Sequence, residues 1–248
     1  MKHLRLFETE TAFEAAKETL EKPWVTLTDD DSKVHFMDIP TIDENDLTKG
    51  DFIDLGLPSG LKWASCNLGA TKPCEYGDYY QWGSVTPNTD TVCDWAYAPF
   101  NNGASEFDEA YFNAHKSEWL DGDVLKPEYD AAVAAGKGHM PTQAQFQELI
   151  NNTTSEWVNC TYLGPDHADH NVMGRKFTAS NGNSIFIPAS GGRNGSSFYS
   201  RGSYAYLWSS SLYTDSPGRA CNLNLHEYYW NIHYVTFGSG CSVRPVSE

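Results

Sequence analysis

The last quarter of the chain restricts the fold most. From residue 190 to the end, Ser, Gly, Tyr and Asn make up 30 of 59 residues, and seven of the 14 tyrosines lie there. Tyr and Trp give large, stiff contact area with few rotatable bonds, while Ser, Gly and Asn give adaptable hydrogen bonding. Such a segment reads either as a Ser/Gly-rich β-domain with aromatics in its core or as an antibody-like binding surface. Composition alone leaves both open.

Charge sets the segment apart. The whole chain has 17 Lys and Arg against 33 Asp and Glu. Residues 175–248 hold six basic side chains (Arg175, Lys176, Arg193, Arg201, Arg219, Arg244) and three acidic ones (Asp215, Glu227, Glu248). An acidic body therefore ends in a mildly basic, aromatic module. The acidic body argues against nucleic acid and anionic membrane as main partners.

At 248 residues the chain can form a substantial core without staples. No apolar run approaches the ~20 residues that span a bilayer. The opening MKHLRLFETETAFEAAKETLEK has no apolar stretch of the secretory type, so synthesis in a cytoplasm, and residence there until another assembly such as a virion delivers the protein, are expected. Cys66, Cys74, Cys93, Cys160, Cys221 and Cys241 lack CxxC spacing. They are expected to be free thiols.

Along the chain, residues 10–21 have the spacing of a short helix, and WVTLT (24–28) and KVHFM (33–37) that of two strands. Residues 38–50 look like an acidic linker. Two strands are expected around Pro58-Ser59-Gly60, with partly helical structure over 104–136. PTQAQFQELINN (141–152) has the clearest helical pattern, with Thr142 and Gln145 fitting a capping box. Residues 157–162 read as a strand. GRKFTASNGNSIFIPAS (174–190) reads as a hairpin whose Asn181-Gly182 suits a type I′ turn. Strands are expected at 206–210, 220–225 and 242–246, with long irregular loops between them. Along Cys221–Leu225 the alternation sets Cys221, Leu223 and Leu225 on one face against Asn222 and Asn224. Tyr228-Tyr229-Trp230 cannot all point inward from a strand, so at least one should be exposed, and an exposed aromatic patch marks a binding site. The pattern as a whole is α+β with a late β-rich half.

Six phrases in order, DLGLPSGLKWASCNLGA, EYGDYYQWGSVTP, GHMPTQAQFQELI, FIPASGGRNG, RGSYAYLWSSS and CSVRPV, resemble the Fibrobacter succinogenes major paralogous domain family. The resemblance covers roughly residues 51–248 and implies a C-type-lectin-like fold. The tail further resembles the variable proteins of diversity-generating retroelements, in which AAY codons of a template are randomised at adenine and copied into the gene's end. Randomising those adenines cannot yield Lys, Gln, Met, Glu or Trp. Between Tyr199 and Cys241 there is no Lys, Gln or Met, and the exceptions are Trp208, Glu227 and Trp230.

The resemblance implies a docking segment at 1–45 and a ligand-binding domain at 46–248, variable over about 193–241. It implies scaffold roles for Trp208, Ser209, Ser210, Ser211, Leu223, Leu225, Val243, Arg244 and Pro245. The expected ligand-binding residues are Phe198, Tyr199, Tyr204, Tyr206, Arg219, His226, Tyr228, Tyr229, Asn231, His233, Tyr234, Thr236 and Phe237. The expected partners are a bacterial surface protein or glycan and, through 1–45, the tail of a virion, with homo-oligomerisation left open. No catalytic residue, cofactor or metal is expected.

Three other readings stand beside this one. Cys221 and Cys241 could form the reactive pair of a formylglycine-generating-type oxidase. His167 and His170 with Asp166 or Asp169 could hold a metal, although a solvated polar loop explains GPDHADH. A cell-surface adhesin or lectin-like module of a bacterium is the third; the calcium-lectin tripeptides EPN, QPD and WND are absent.

Overall fold

The computed structural model describes residues 4–7, 24–28, 34–164, 166 and 168–248, the stretches before residue 39 in backbone terms only. The helix expected at 10–21 lies outside the described residues. Strands β1 (Leu4–Phe7), β2 (Trp24–Thr28) and β3 (Val34–Asp38) form an antiparallel sheet of order β1-β3-β2.

The rest is mixed α+β and mostly sheet. In chain order it comprises β4 (Thr41–Asp43), β5 (Phe52–Asp54), β6 (Lys62–Ala64), α1 (Glu109–Trp119), β7 (Leu120–Asp121), β8 (Val124–Leu125), α2 (Ala131–Ala134) and α3 (Gln143–Asn152). Then come β9 (Thr153–Leu163), β10 (Asp169–Ala179), β11 (Ser184–Pro188), β12 (Gly192–Asn194), β13 (Ser197–Tyr199), β14 (Tyr204–Leu212), β15 (Arg219–His226), β16 (Trp230–Thr236) and β17 (Val246–Ser247). The larger sheets run β11-β10-β9-β4 and β16-β15-β14-β8-β7; smaller ones run β17-β6-β5 and β12-β13. Among the described residues no helix is long and apolar enough to cross a membrane.

Helix α3 starts as its sequence dictates. Thr142 accepts from the Gln145 amide at 3.3 Å, and the Gln145 side chain accepts from the Thr142 amide at 2.8 Å. Its Phe146 and Leu149 enter a core with Trp63, Phe177, Ile185, Ile187, Leu207, Leu223 and Leu225. A second core is aromatic: Trp82, Phe100, Phe112, Trp119, Trp208 and Phe237 pack around α1 and the 80–100 loop. Gly83 has φ +81°, and a side chain there would collide with the Phe100 ring. Buried Arg244 ties the 64–67 segment to β11: its guanidinium donates to Asn67 Oδ1 (2.8 Å) and to the carbonyls of Ala64 (3.0 Å), Ser65 (2.7 Å) and Phe186 (2.9 Å).

Several expectations need correction. Residues 38–50 are not a free linker: Ile39 and Leu47 are buried, and β4 pairs in parallel with β9. Ile39 and Leu47 dock the segment, Asp43 and Asp46 cap its turn, and Glu44 pairs with Lys72 at 2.9 Å. The β10–β11 loop is not type I′. Only Gly182 is left-handed, at φ +86°, and Ala179 pairs with Asn183 across a three-residue loop. That is a type I turn closed by a Gly bulge, which needs one positive φ where type I′ needs two. The expected strand at 242–246 does not form as one: Ser242 makes an isolated bridge to Leu207, 243–245 are irregular, with Pro245 lacking an amide to donate, and regular pairing begins at Val246. An unexpected strand, β16, occupies 230–236. Finally, Cys74 and Cys160 form a disulfide, with Cα atoms 6.2 Å apart across a sequence separation of 86. Sequence spacing carries no signal for a pairing made by two distant elements.

Candidate binding surface

The hairpins β14–β15–β16 present two faces of opposite character. Register places Ala205, Leu207, Leu223, Leu225 and Ile232 on one face, packed against α3 and the core. Alternation then sends Tyr204, Tyr206, Asn222, Asn224, His226, Asn231 and His233 to the other. Trp208 shares that second face but is buried, and its indole donates to the Tyr80 carbonyl at 2.6 Å. There the 80–100 loop covers the sheet, with Trp82 Nε1 bonded to the Ser209 carbonyl at 2.8 Å. The face is thus closed at its Trp208 end and open at its Tyr204 end.

The open end is a continuous aromatic cluster. Tyr199 lies 5.6 Å from Tyr206, whose ring is parallel to that of Tyr204 at 5.7 Å. Tyr204 lies 4.4 Å from His226, which in turn lies 5.1 Å from Tyr229 and 5.4 Å from Tyr228. Tyr228, Tyr229 and Trp230 are all exposed, at 52%, 43% and 39%, so the three consecutive aromatics do crowd into solvent. Burial, then the nearby Arg175 charge, holds the His226 imidazole below its ordinary value, keeping it neutral at pH 7.

Arg175, on β10, fixes this end in place. It is buried, and one nitrogen donates to the carbonyls of His226 and of Glu227, the latter at 2.9 Å. Its guanidinium lies 4.1 Å from the Trp230 ring centre and 5.9 Å from that of Trp157. Burial lowers its pKa to about 10, with Glu227 opposing, so it stays charged at neutral pH. Nothing in the sequence of a hairpin strand distinguishes a buried arginine such as Arg175 from a solvated one.

The other expected contacts fall elsewhere. Phe237 is not a surface residue: it is fully buried, stacked on Trp82 at 4.6 Å with Phe100, Phe107 and Phe112 around it. It follows the last residue of β16, where the chain turns into the aromatic core. Arg219, Tyr234 and Thr236 pair on the face opposite Tyr204. They form a separate edge patch in which Tyr213 stacks on Tyr234 at 4.2 Å and Arg219 lies 4.9 Å over that ring. His233 bends to that edge, 4.5 Å from Tyr234. Phe198 flanks the cluster on β13, between Arg201 at 3.4 Å and Arg193 at 4.5 Å.

The residues of the other readings are also placed. Burial raises the Cys221 thiol to about 11 and raises Cys241, which is fully buried, well above the ordinary value. Both are protonated at neutral pH and are poor nucleophiles. His170 Nε2 lies 2.8 Å from Asp166 as an exposed pair, and His167 lies outside the described residues. Among the described residues no three His, Cys, Asp or Glu side chains are grouped as a metal would need.

No protein-family model matches the chain, and neither a curated protein nor a solved structure is recognisably similar to it.

Proposed function

We propose that this chain is a receptor-binding protein of C-type-lectin-like fold, whose C-terminal surface is diversified by a retroelement and displayed at a phage tail or fibre tip. The observation that carries the reading is the open face of β14–β16. Tyr199, Tyr204, Tyr206, His226, Tyr228 and Tyr229 form one ring-to-ring cluster on a strand framework whose back is buried. Aromatic side chains concentrated on a rigid sheet and turn are what a tunable binding surface requires. Their exchange leaves the backing leucines untouched, so affinity can change without loss of the fold.

The resemblance to retroelement variable proteins supplies the diversification and the virion, with residues 1–45 as the segment that docks to tail components. The Cys74–Cys160 disulfide supports work outside a reducing compartment, and a bacterial surface adhesin would share that property. Multivalent display would raise weak single contacts to useful avidity.

The test is labelling of a panel of intact bacterial cells by the purified protein and by its Tyr228→Ser/Tyr229→Ser variant. At least one strain should be labelled, and the variant should lose about tenfold or more in labelling without a change in melting temperature. Equal labelling by both proteins would remove the aromatic cluster from the site.

A further inference from the structure

The open half of the face is floored by polar groups that the protein itself does not partner. Asn222 and Asn224 alternate with Cys221, Leu223 and Leu225 along β15, so they point to the side of Tyr204 and Tyr206. Asn222 is fully buried, with neither Nδ2 nor Oδ1 hydrogen-bonded. Asn224 is 8% exposed, and its Oδ1 is likewise without a partner. Native interiors rarely leave a buried amide unpaired, because its water bonds are lost and nothing replaces them. Asn224, opposite Tyr206, floors the open half, whereas Asn222, opposite Trp208, lies next to it under the closed end, so an incoming group on the open half completes the bonds of Asn224.

The chemistry around the floor is neutral. Tyr206 opposes Asn224, Tyr204 opposes His226, and Asn224 opposes Asn231 on the far side. Burial raises the Tyr206 phenol and lowers the His226 imidazole, so neither carries charge at pH 7. Arg175 is turned to the carbonyls of His226 and Glu227. An amide offers a donor and an acceptor together, and a hydroxyl does the same. The nearest charges, Arg175 and Glu227, already act on each other, so a charged peptide side chain brought onto this floor would lose its hydration for little return. A ring with hydroxyls at its rim and a C–H face across its middle suits both the amides and the parallel Tyr204 and Tyr206 rings.

We infer that this face recognises a saccharide: a neutral sugar unit packs on Tyr204 and Tyr206 while its hydroxyl or acetamido groups bond to the floor amide of Asn224 and, through a water, to Asn222 behind it. The inference rests on the receptor-binding reading and narrows it from any surface receptor to a glycan. Specificity among sugars then lies in the floor amides, and affinity in the rings.

The experiment uses the full chain on intact cells of a strain that it labels. One portion of the cells is oxidised with periodate, which cleaves vicinal diols, and another is digested with proteinase K. Labelling should fall at least about tenfold after periodate and survive the protease. Labelling lost to protease and retained after periodate would overturn the saccharide inference and leave receptor binding standing. Failure to label any strain would overturn the receptor reading, and this inference with it. The Asn222→Val/Asn224→Val variant removes only the amides. It should melt at or above the temperature of the parent and lose at least about tenfold in labelling. Undiminished labelling by a folded variant would remove the floor from recognition, and the periodate and protease arms decide the ligand class without any variant.

Discussion

Tyr234 and Phe237 are three positions apart, yet only the first can be exchanged freely. Phe237 is stacked flat on Trp82 at 4.6 Å and ringed by further aromatics, so its side chain helps to fill the second core. Phe237→Ala should cost about 3–5 kcal/mol through lost burial and the cavity left behind. Tyr234→Ser, at the sheet edge, should cost much less, because the ring is only partly buried against Tyr213. Equilibrium denaturation of both variants checks the contrast, and similar midpoints would contradict it. Composition marks both residues as aromatic and cannot separate them. Their difference comes from where β16 ends and the chain turns inward, which only the partner strands determine. The same limit explains Asn222 and Asn224. Their alternation with the leucines was legible, but that the polar side of the strand is also buried was not, since a strand covered on both faces differs from a half-exposed one only through its neighbours.

At the scale of elements, the β15–β16 turn holds the exposed Tyr228 and Tyr229, Trp230 opens β16 beside them, and Arg175 of a different sheet holds the turn. Arg175→Gln should destabilise the protein by about 2–4 kcal/mol, since it leaves the carbonyls of His226 and Glu227 without their charged donor. Amide exchange should quicken most at residues 226–230. Arg175→Lys should not restore protection, because a single ammonium cannot bond the two carbonyls and Ser155 Oγ together, nor lay a planar group over Trp230. Exchange that changes uniformly across the chain would contradict a strut specific to the turn. Helix α3 and the β10–β11 hairpin were legible because their signals are local: a capping box, and an Asn-Gly pair between two apolar runs. Strand β16 was not. Its WNIHYVT follows a run of aromatics that reads as loop, and its strand character depends on pairing with β15.

For the whole molecule, a buried frame presents one open aromatic face. Leu207, Leu223 and Leu225 lie in the core behind that face, Trp208 seals its lower end, and the Arg244 bonds join the segments on which the frame rests. The α+β class was readable from periodicity. The Cys74–Cys160 bond and the docking of residues 39–47 were not, because each joins stretches more than 80 residues apart or turns on which few apolar side chains are buried. The most direct measurement of diversification at this face is to sequence the gene from many sibling genomes, together with its flanking DNA, and map differences in the codons for the last 59 residues onto the structure. The account predicts that differences gather at exposed positions such as Tyr228 and His233 and at the half-buried Tyr199, spare Trp208, Leu223, Leu225 and Phe237, and occur beside a reverse transcriptase and a template repeat. An invariant segment, or differences spread evenly over core and surface with no template nearby, would contradict it.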